Sequence, residues 1–225
     1  MSTAAARIPL VRVLNPNSSR SVTDSVARAM RATVHESVCH FDCHTSAEGP
    51  PGIVTQDDYA LATQLVVADF AQHEAQADAF VVACFSDPGA AGSRGATAKP
   101  VIGLGEAGLR DAIEQGNRVG VIAIAGAAIA RHLRHWDALG LRANVVNERP
   151  LDLPVHLSGV AEHALARMVN VARQLVDEDG ANALLMGCAG MADLRAPLEA
   201  EVGVPVVDPC QAAARAAARL MRSAL

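Results

Sequence analysis

The hydrophobic positions of this chain fall into short apolar runs separated by longer segments with helical spacing. Apolar runs that are typical of strands occur at 10–14, 37–44, 80–84, 100–104, 118–124, 142–147, 183–188 and 205–208. Helical segments are predicted at about 21–36, 56–76, 127–139, 159–179 and 211–222, with a further helix that ends near residue 115. Strands that alternate with helices predict an α/β fold with parallel sheets.

The pattern occurs twice along the chain. Cys84 and Cys188 each follow a buried apolar run, and they lie 104 positions apart. Pro205-Val206-Val207-Asp208 matches Pro100-Val101-Ile102-Gly103 at an offset of 105. We therefore predict an internal duplication that gives two similar lobes, residues 1–100 and residues 101–205. The C-terminal segment 206–225 is predicted to fold back onto the first lobe.

Composition excludes several classes of protein. The net charge of −5 and the sequence pI near 5.9 argue against nucleic acid or an anionic membrane as a partner. The longest weakly polar run, 119–130, has 12 residues, whereas a membrane span needs about 20. The segment from Met1 has no features of a signal peptide. Five cysteines without a dense framework predict free thiols and a cytoplasmic protein.

The two equivalent cysteines are the strongest candidates for chemistry. A buried cysteine is often only a small apolar residue, but Cys84 and Cys188 both end a predicted strand, and small or turn-forming residues follow. Ligands of open parallel sheets bind at the carboxyl ends of the strands. If a helix begins after each cysteine, its N-terminus lowers the pKa of the thiol toward 7 or below.

The remaining polar motifs give weaker signals. A metal-like group at 39–44 alternates, so its thiols and imidazoles point to opposite faces of a strand and cannot readily bind one ion. Cys210 is expected to pack in the core. Asn15 and Asn17 follow the first strand and could cap a helix or bind a ligand. We therefore predict neither a metal nor an organic cofactor.

Four motifs carry a resemblance to a known family: Asn15-Pro16-Asn17, Cys84-Phe85-Ser86-Asp87-Pro88-Gly89, Pro100-Val101-Ile102-Gly103, and Gly187-Cys188-Ala189-Gly190-Met191-Ala192-Asp193-Leu194. In this order they resemble the hydantoin racemase branch of the aspartate/glutamate racemase superfamily. The resemblance implies two pseudo-symmetric α/β lobes, each a parallel sheet flanked by helices, with the active site in the cleft between them. It also implies a cofactor-free homo-oligomer that binds a small hydantoin or ureide.

The resemblance assigns roles to individual residues. Cys84 and Cys188 would be the catalytic acid and base. The substrate would be held by the following residues: Asn15, Phe85, Ser86, Asp87, Gly126, Ala189 and Gly190. In one respect the chain departs from the pattern, because relatives carry hydroxyl residues where this sequence has Ala123-Ile124-Ala125-Gly126-Ala127.

We therefore expect a racemase that inverts the Cα centre of a 5-substituted hydantoin or of allantoin by proton transfer between two cysteines. An aspartate or glutamate racemase is a weaker alternative, because Phe-Ser-Asp-Pro-Gly rather than Asn-Thr follows Cys84. A maleate-type cis-trans isomerase would use one of the same cysteines as a nucleophile. A non-catalytic ureide-binding protein would keep the cleft without needing either thiol.

Overall fold

The first of two sheets is built from strands that alternate with helices along the chain. In the computed structural model, residues 7–223 are described, and the rest of the segment from Met1 lies outside them. The strands are β1 (Leu10–Asn15), β2 (His40–Thr45), β3 (Ala79–Val82) and β4 (Val101–Gly103). They pair in parallel in the order β2-β1-β3-β4.

A second sheet repeats this arrangement. Its strands are β5 (Val119–Ala123), β6 (Val145–Pro150), β7 (Ala183–Gly187) and β8 (Val206–Val207). They too are parallel, in the order β6-β5-β7-β8. Equivalent strands therefore occupy equivalent places in both sheets, and the predicted α/β fold class is confirmed.

The helices that flank the sheets are α1 (Arg20–Thr33), α2 (Gln56–Gln72), α3 (Ala90–Ala96), α4 (Leu104–Gln115), α5 (Gly126–Ala138), α6 (Ala161–Asp177), α7 (Arg195–Val202) and α8 (Pro209–Ser223). Short 3-10 turns lie at Arg142–Asn144, Val155–Leu157 and Ala189–Leu194. The apolar pattern did not delimit α3 or α7, since each is short and its glycines, alanines or charges give no clear period. No helix within residues 7–223 combines the length and apolar character that crossing a bilayer needs.

The helix after each last strand packs against the other half of the molecule. Leu109 and Ala112 of α4 share an apolar cluster with Val119 and Leu185 of the second sheet. Apolar residues of α8 join a cluster with strand residues of the first sheet and with α1: Val11, Val13, Val26, Val81, Ala213, Ala214, Ala217 and Met221. The chain thus changes sheets twice, and the two exchanged helices tie the halves together.

The points where the chain crosses from one sheet to the other lie slightly beyond the predicted boundaries of the lobes. Val101–Gly103 pairs with the first sheet, and Val206–Val207 pairs with the second. The crossings therefore follow Gly103 and Val207 rather than residues 100 and 205. The division of the chain into two lobes at residues 100 and 205 stays a prediction.

Candidate active site

A cavity lies beside the carboxyl ends of β3 and β7. Both halves contribute to its wall, and it brings together Cys84 and Cys188 from opposite sheets. Its other lining residues are Asn17, Val22, Ile53, Ala83, Phe85, Ser86, Ile124, Ala128, His132, Val155, Gly187 and Ala189. The cavity is therefore mostly apolar, with two thiols and a few polar side chains.

Cys84 lies in a tight turn that follows β3. The strand ends at Val82, and the backbone N–H of Ala83 still donates to the first sheet, at 2.8 Å from the Leu14 carbonyl oxygen. The N–H of Asp87 then donates to the Cys84 carbonyl at 3.0 Å, and Asp87 adopts a left-handed conformation with φ of 48°. This turn leaves Cys84 partly exposed to the cavity, while its neighbours are buried.

Cys188 occupies the equivalent place after β7. It precedes the 3-10 turn Ala189–Leu194, and the N–H of Met191 donates to its carbonyl at 3.3 Å. The Cys188 thiol donates to Oγ of Ser158, which is buried, at 3.5 Å. Gly190 allows this approach, because a Cβ at that position would lie 2.4 Å from the Ser158 hydroxyl oxygen.

Burial makes both thiols weaker acids than free cysteine. Desolvation raises the pKa of Cys84 to about 12, against a smaller opposing effect of the Ser86 backbone N–H. Desolvation also raises the pKa of Cys188, and hydrogen bonds from Ser158 and from the Gly190 backbone oppose that rise. The expectation that helix N-termini lower both pKa values is therefore wrong. The helix α3 begins only at Ala90, six residues after Cys84, so its N-terminus does not directly follow the thiol as the expectation required.

Asn15 and Asn17 form a small polar cluster at the end of β1. The Asn15 amide nitrogen donates to Asn17 Oδ1 at 2.9 Å and to Thr23 Oγ1 at 3.0 Å. The Asn17 oxygen also accepts from the backbone N–H of Ser19 at 2.8 Å. Asn15 therefore lies behind Asn17, and it is Asn17 that lines the cavity.

The other predicted site residues divide into two groups. Phe85, Ser86 and Ala189 line the cavity. Asp87, Gly126 and Gly190 do not. The Asp87 carboxylate instead accepts backbone N–H bonds from the start of α4, at 2.9 Å from Gly105 and 2.8 Å from Glu106. The Gly126 N–H donates to Asp152 at 2.9 Å, and Gly190 lines a neighbouring groove.

Three further candidate functional residues were not predicted from the sequence. His132 on α5 lines the cavity and lies 2.7 Å from Ser86 Oγ through its Nε2. Glu148 on β6 lies within hydrogen-bond distance of His132 Nδ1. Ser158 meets Cys188 from the loop before α6. No local motif marks these residues, because each joins the site through a contact with a residue distant in sequence. The contacts span 46 positions for His132, 16 for Glu148 and 30 for Ser158.

The metal-like segment at 39–44 is arranged as its alternation predicts. Cys39 and Phe41 are buried in the core. His44 lies 2.7 Å from Asp42 on the other face of the strand. Across the part of the chain that the structure describes, no three histidine, cysteine or carboxylate side chains gather in a way that could hold a metal ion.

Comparison with known proteins agrees with this geometry. The family model described as Asp/Glu/Hydantoin racemase matches residues 11–217. The chain therefore belongs to the Asp/Glu/hydantoin racemase family, and a racemase family indicates an isomerase. The predicted resemblance is thus confirmed.

Individual relatives are similar over nearly their whole length. The hydantoin racemase of Paenarthrobacter aurescens is 35% identical over 94% of this chain and 90% of its own. Among solved structures, allantoin racemase from Pseudomonas fluorescens superposes with a TM-score of 0.91 at 25% identity, covering 96% of this chain and 92% of that one. Allantoin racemase from Klebsiella pneumoniae gives a TM-score of 0.88 at 26% identity, covering 96% and 89%.

Proposed function

We propose that the protein is a cofactor-independent racemase that inverts the Cα centre of a 5-substituted hydantoin or of allantoin. The observation that carries this proposal is the convergence of Cys84 and Cys188, from equivalent turns of two similar sheets, on one cavity. Inversion of a carbon centre through proton transfer needs an acid on one face and a base on the other. Two thiols from opposite halves of the molecule supply that pair.

In the forward reaction, the thiolate of one cysteine takes the Cα proton and the thiol of the other gives a proton to the opposite face. One S–H bond forms as the other breaks. After each inversion the first cysteine is therefore the thiol and the second is the thiolate. The negative charge that develops meanwhile rests on the adjacent carbonyl oxygen as an enolate. Donors that point into the cavity would stabilise this charge more than the neutral ground state.

The substrate class follows from the cavity and the relatives. Proteins similar to this chain include a hydantoin racemase and two allantoin racemases, and both names denote five-membered ureide rings. The apolar wall of Val22, Ile53, Ile124 and Val155 suits a compact ring with an apolar substituent at C5.

The cysteines also bear on the cofactor requirement and the cellular compartment of the proposed enzyme. Because acid–base chemistry between thiols needs neither metal nor coenzyme, we expect full activity after treatment with EDTA. Five unpaired cysteines among the described residues support a reducing cytoplasm. Assembly into a homo-oligomer stays a prediction.

The test replaces each cysteine in turn by serine. A serine hydroxyl is similar in size, but its far higher pKa prevents it from acting as a base near neutral pH. Racemisation followed by polarimetry should fall by about three orders of magnitude or more in either Cys84→Ser or Cys188→Ser. Each variant should still exchange the Cα proton of one enantiomer for deuterium, because the remaining thiol can remove and return a proton on its own face.

Cys210→Ser is the matched control, since Cys210 is buried in the core and does not line the cavity. This variant should racemise like the parent if it folds, as circular dichroism would show. The two active-site variants should exchange opposite enantiomers in proton NMR spectra recorded in deuterated buffer. Exchange of the same enantiomer by both variants, or parental racemisation by either, would show that the two cysteines are not the two bases.

A further inference from the structure

A chain of three buried side chains reaches the cavity from behind Cys84. Ser86 follows β3, His132 lies on α5 and Glu148 lies on β6, so three separate elements supply it. Oγ of Ser86 is 2.7 Å from Nε2 of His132, and Nδ1 of the same ring faces Oε1 of Glu148. All three residues are at most 5% exposed, so they exchange few hydrogen bonds with water.

The surroundings of Glu148 determine where the hydrogens of this chain lie. Its second oxygen, Oε2, is buried and accepts no hydrogen bond from any residue in 7–223. A Glu148–His132 pair that holds only one hydrogen would carry a net negative charge in this buried site, at a cost of about several kcal/mol. The cost is avoided when Glu148 and His132 together hold two hydrogens, one between Nδ1 and Oε1 and one on Nε2. This holds whether the shared hydrogen sits on the ring or on the carboxyl group.

The hydrogen on Nε2 decides what the Ser86 hydroxyl can do. With that hydrogen present, Ser86 Oγ accepts a hydrogen bond from His132. A second donor, Nη2 of Arg131, lies 3.4 Å from the same oxygen. A hydroxyl has two acceptor positions and one hydrogen. Both acceptor positions are therefore directed at the protein, and the hydrogen is left for the cavity that Ser86 lines.

Other groups near His132 do not compete for this role. Phe85 packs edge-on against the ring at 5.0 Å between centroids. His135, one turn further along α5, pairs with Asp87 at 3.0 Å. Arg131 is held by carbonyl oxygens of Ile53 and Val54 and stacks 5.1 Å from the Tyr59 ring centre.

We propose that Glu148 and His132 fix the Ser86 hydroxyl as a hydrogen-bond donor that selects a carbonyl oxygen of the ring substrate. Ser86 is the residue that touches the ligand, and the other two are positioning residues. The inference rests on the proposed function for its ligand, a five-membered ring with carbonyl groups. A fixed donor favours a ring carbonyl over a ring N–H at this point of the cavity, and the bond strengthens as that oxygen gains enolate charge.

The hydrogen positions can be measured without any substrate. In protein labelled with nitrogen-15 at histidine, the His132 signals are those missing from His132→Asn. Nε2 of His132 should carry a hydrogen and should show a one-bond coupling to it. An Nε2 without hydrogen would make Ser86 a donor to the ring instead, and it would overturn the inference.

The ligand contact can be tested with 5,5-dimethylhydantoin, which has no Cα proton and cannot be racemised. Calorimetry should show about tenfold weaker binding to Ser86→Ala, as expected for one lost hydrogen bond to a polar group. His132→Asn should weaken binding similarly, because asparagine is too short to reach Ser86. In the double variant the His132 change should add nothing, since His132 acts through Ser86.

Thio-substituted analogues test the polarity of the contact. A thiocarbonyl sulfur is a weaker acceptor than a carbonyl oxygen, so the parent should prefer the oxygen at one of the two ring positions. Ser86→Ala should lose this preference. Ser93→Ala, another buried serine that lies on α3 away from the cavity, should bind like the parent. Equal affinity of the parent and Ser86→Ala, or additive effects in the double variant, would overturn the inference.

These measurements separate the two proposals. A protein that binds the dimethyl ring through Ser86 but racemises no hydantoin would refute the racemase and leave the contact intact. A protein that racemises hydantoins with Ser86→Ala and His132→Asn as active and as tightly binding as the parent would refute the contact alone. Absence of any ring binding would overturn the contact.

Discussion

Cys84 and Cys188 occupy the same place in two sheets of the same strand order, yet their side-chain neighbours differ. Ser86 and His132 line the cavity together with Cys84, and the positive charge of the Arg131 guanidinium acts to lower the Cys84 pKa. Cys188 has instead the neutral hydroxyl of Ser158 at 3.5 Å. The two halves thus present each sulfur after an equivalent strand, while the environments of the two sulfurs differ. If the two cysteines are the two bases, we expect kcat and KM each to differ between the enantiomers, with equal kcat/KM because the racemisation equilibrium constant is one.

The largest expected effect is the dependence of proton exchange on pH. Because burial raises the pKa of both thiols, each is protonated at neutral pH and must lose its proton to act as a base. The kcat/KM for deuterium exchange should therefore rise about tenfold per pH unit, or about a thousandfold from pH 6 to pH 9. The measurement is deuterium exchange in the single-cysteine variants Cys84→Ser and Cys188→Ser.

The same titration sharpens the comparison between the halves. Desolvation raises the pKa of both thiols, but only at Cys188 does a side-chain hydroxyl, that of Ser158, oppose the rise with a hydrogen bond. Exchange that depends on Cys188 should therefore level off at lower pH than exchange that depends on Cys84. Circular dichroism at each pH checks that the fold persists. A reversed order, or rates independent of pH, would contradict the different hydrogen-bond partners of the two thiols.

Two carboxylates, one in each half, cap the helices that are exchanged between the halves. Asp87 caps α4 and pairs with His135, so both of its oxygens have partners. Asp208 caps α8 through Gln211 at 2.8 Å, but its other oxygen is buried without a partner among the described residues. Burial raises the pKa of Asp208 to about 7.

We therefore expect Asp208→Asn to stabilise the protein at alkaline pH. The folded protein holds the Asp208 proton to higher pH than the unfolded chain, so stability is full below about pH 4 and falls as pH rises to about 7. Asparagine keeps the cap and carries no charge. The gain in the free energy of unfolding should be on the order of 3 kcal/mol at pH 8 and near zero at pH 4. Urea denaturation at both pH values measures it.

Asp87→Asn is the matched variant in the other half. It should lower the free energy of unfolding by about 2 kcal/mol at pH 8, because an amide cannot replace both hydrogen-bonded carboxylate oxygens. The two substitutions are chemically identical, so opposite signs would come from their surroundings alone. Destabilisation by Asp208→Asn at pH 8 would show that the Asp208 charge is compensated.

The smallest expected effect comes from Ser158→Ala. Its hydroxyl lies 3.5 Å from the Cys188 sulfur, and that hydrogen bond opposes the rise in the Cys188 pKa. Without it, exchange on the Cys188 face should fall about tenfold near neutral pH, as expected for one lost hydrogen bond to a charged group. Exchange on the Cys84 face should not change. Ser93→Ala serves as the control, and equal losses on both faces would indicate a general disturbance of the cavity.

Much of the fold could be predicted from the sequence, because its signals are local. Buried strands appear as short apolar runs, and the repeated cysteine and proline runs reveal two similar halves. Strand bounds shifted by only a few residues, and the family was recognisable from four motifs. The short helices α3 and α7 were not delimited, since their formation depends on packing rather than on their own periodicity.

The chemistry of the site was decided by tertiary structure. The sequence placed a thiol after each of two strands, but only packing determined that both lose most of their contact with water, so that their pKa values rise rather than fall. Only packing brings His132 to Ser86, 46 positions away, and Glu148 to His132, 16 positions away. Strand periodicity is a property of neighbouring residues, whereas desolvation and hydrogen-bond partners depend on residues that meet only after the two sheets have assembled.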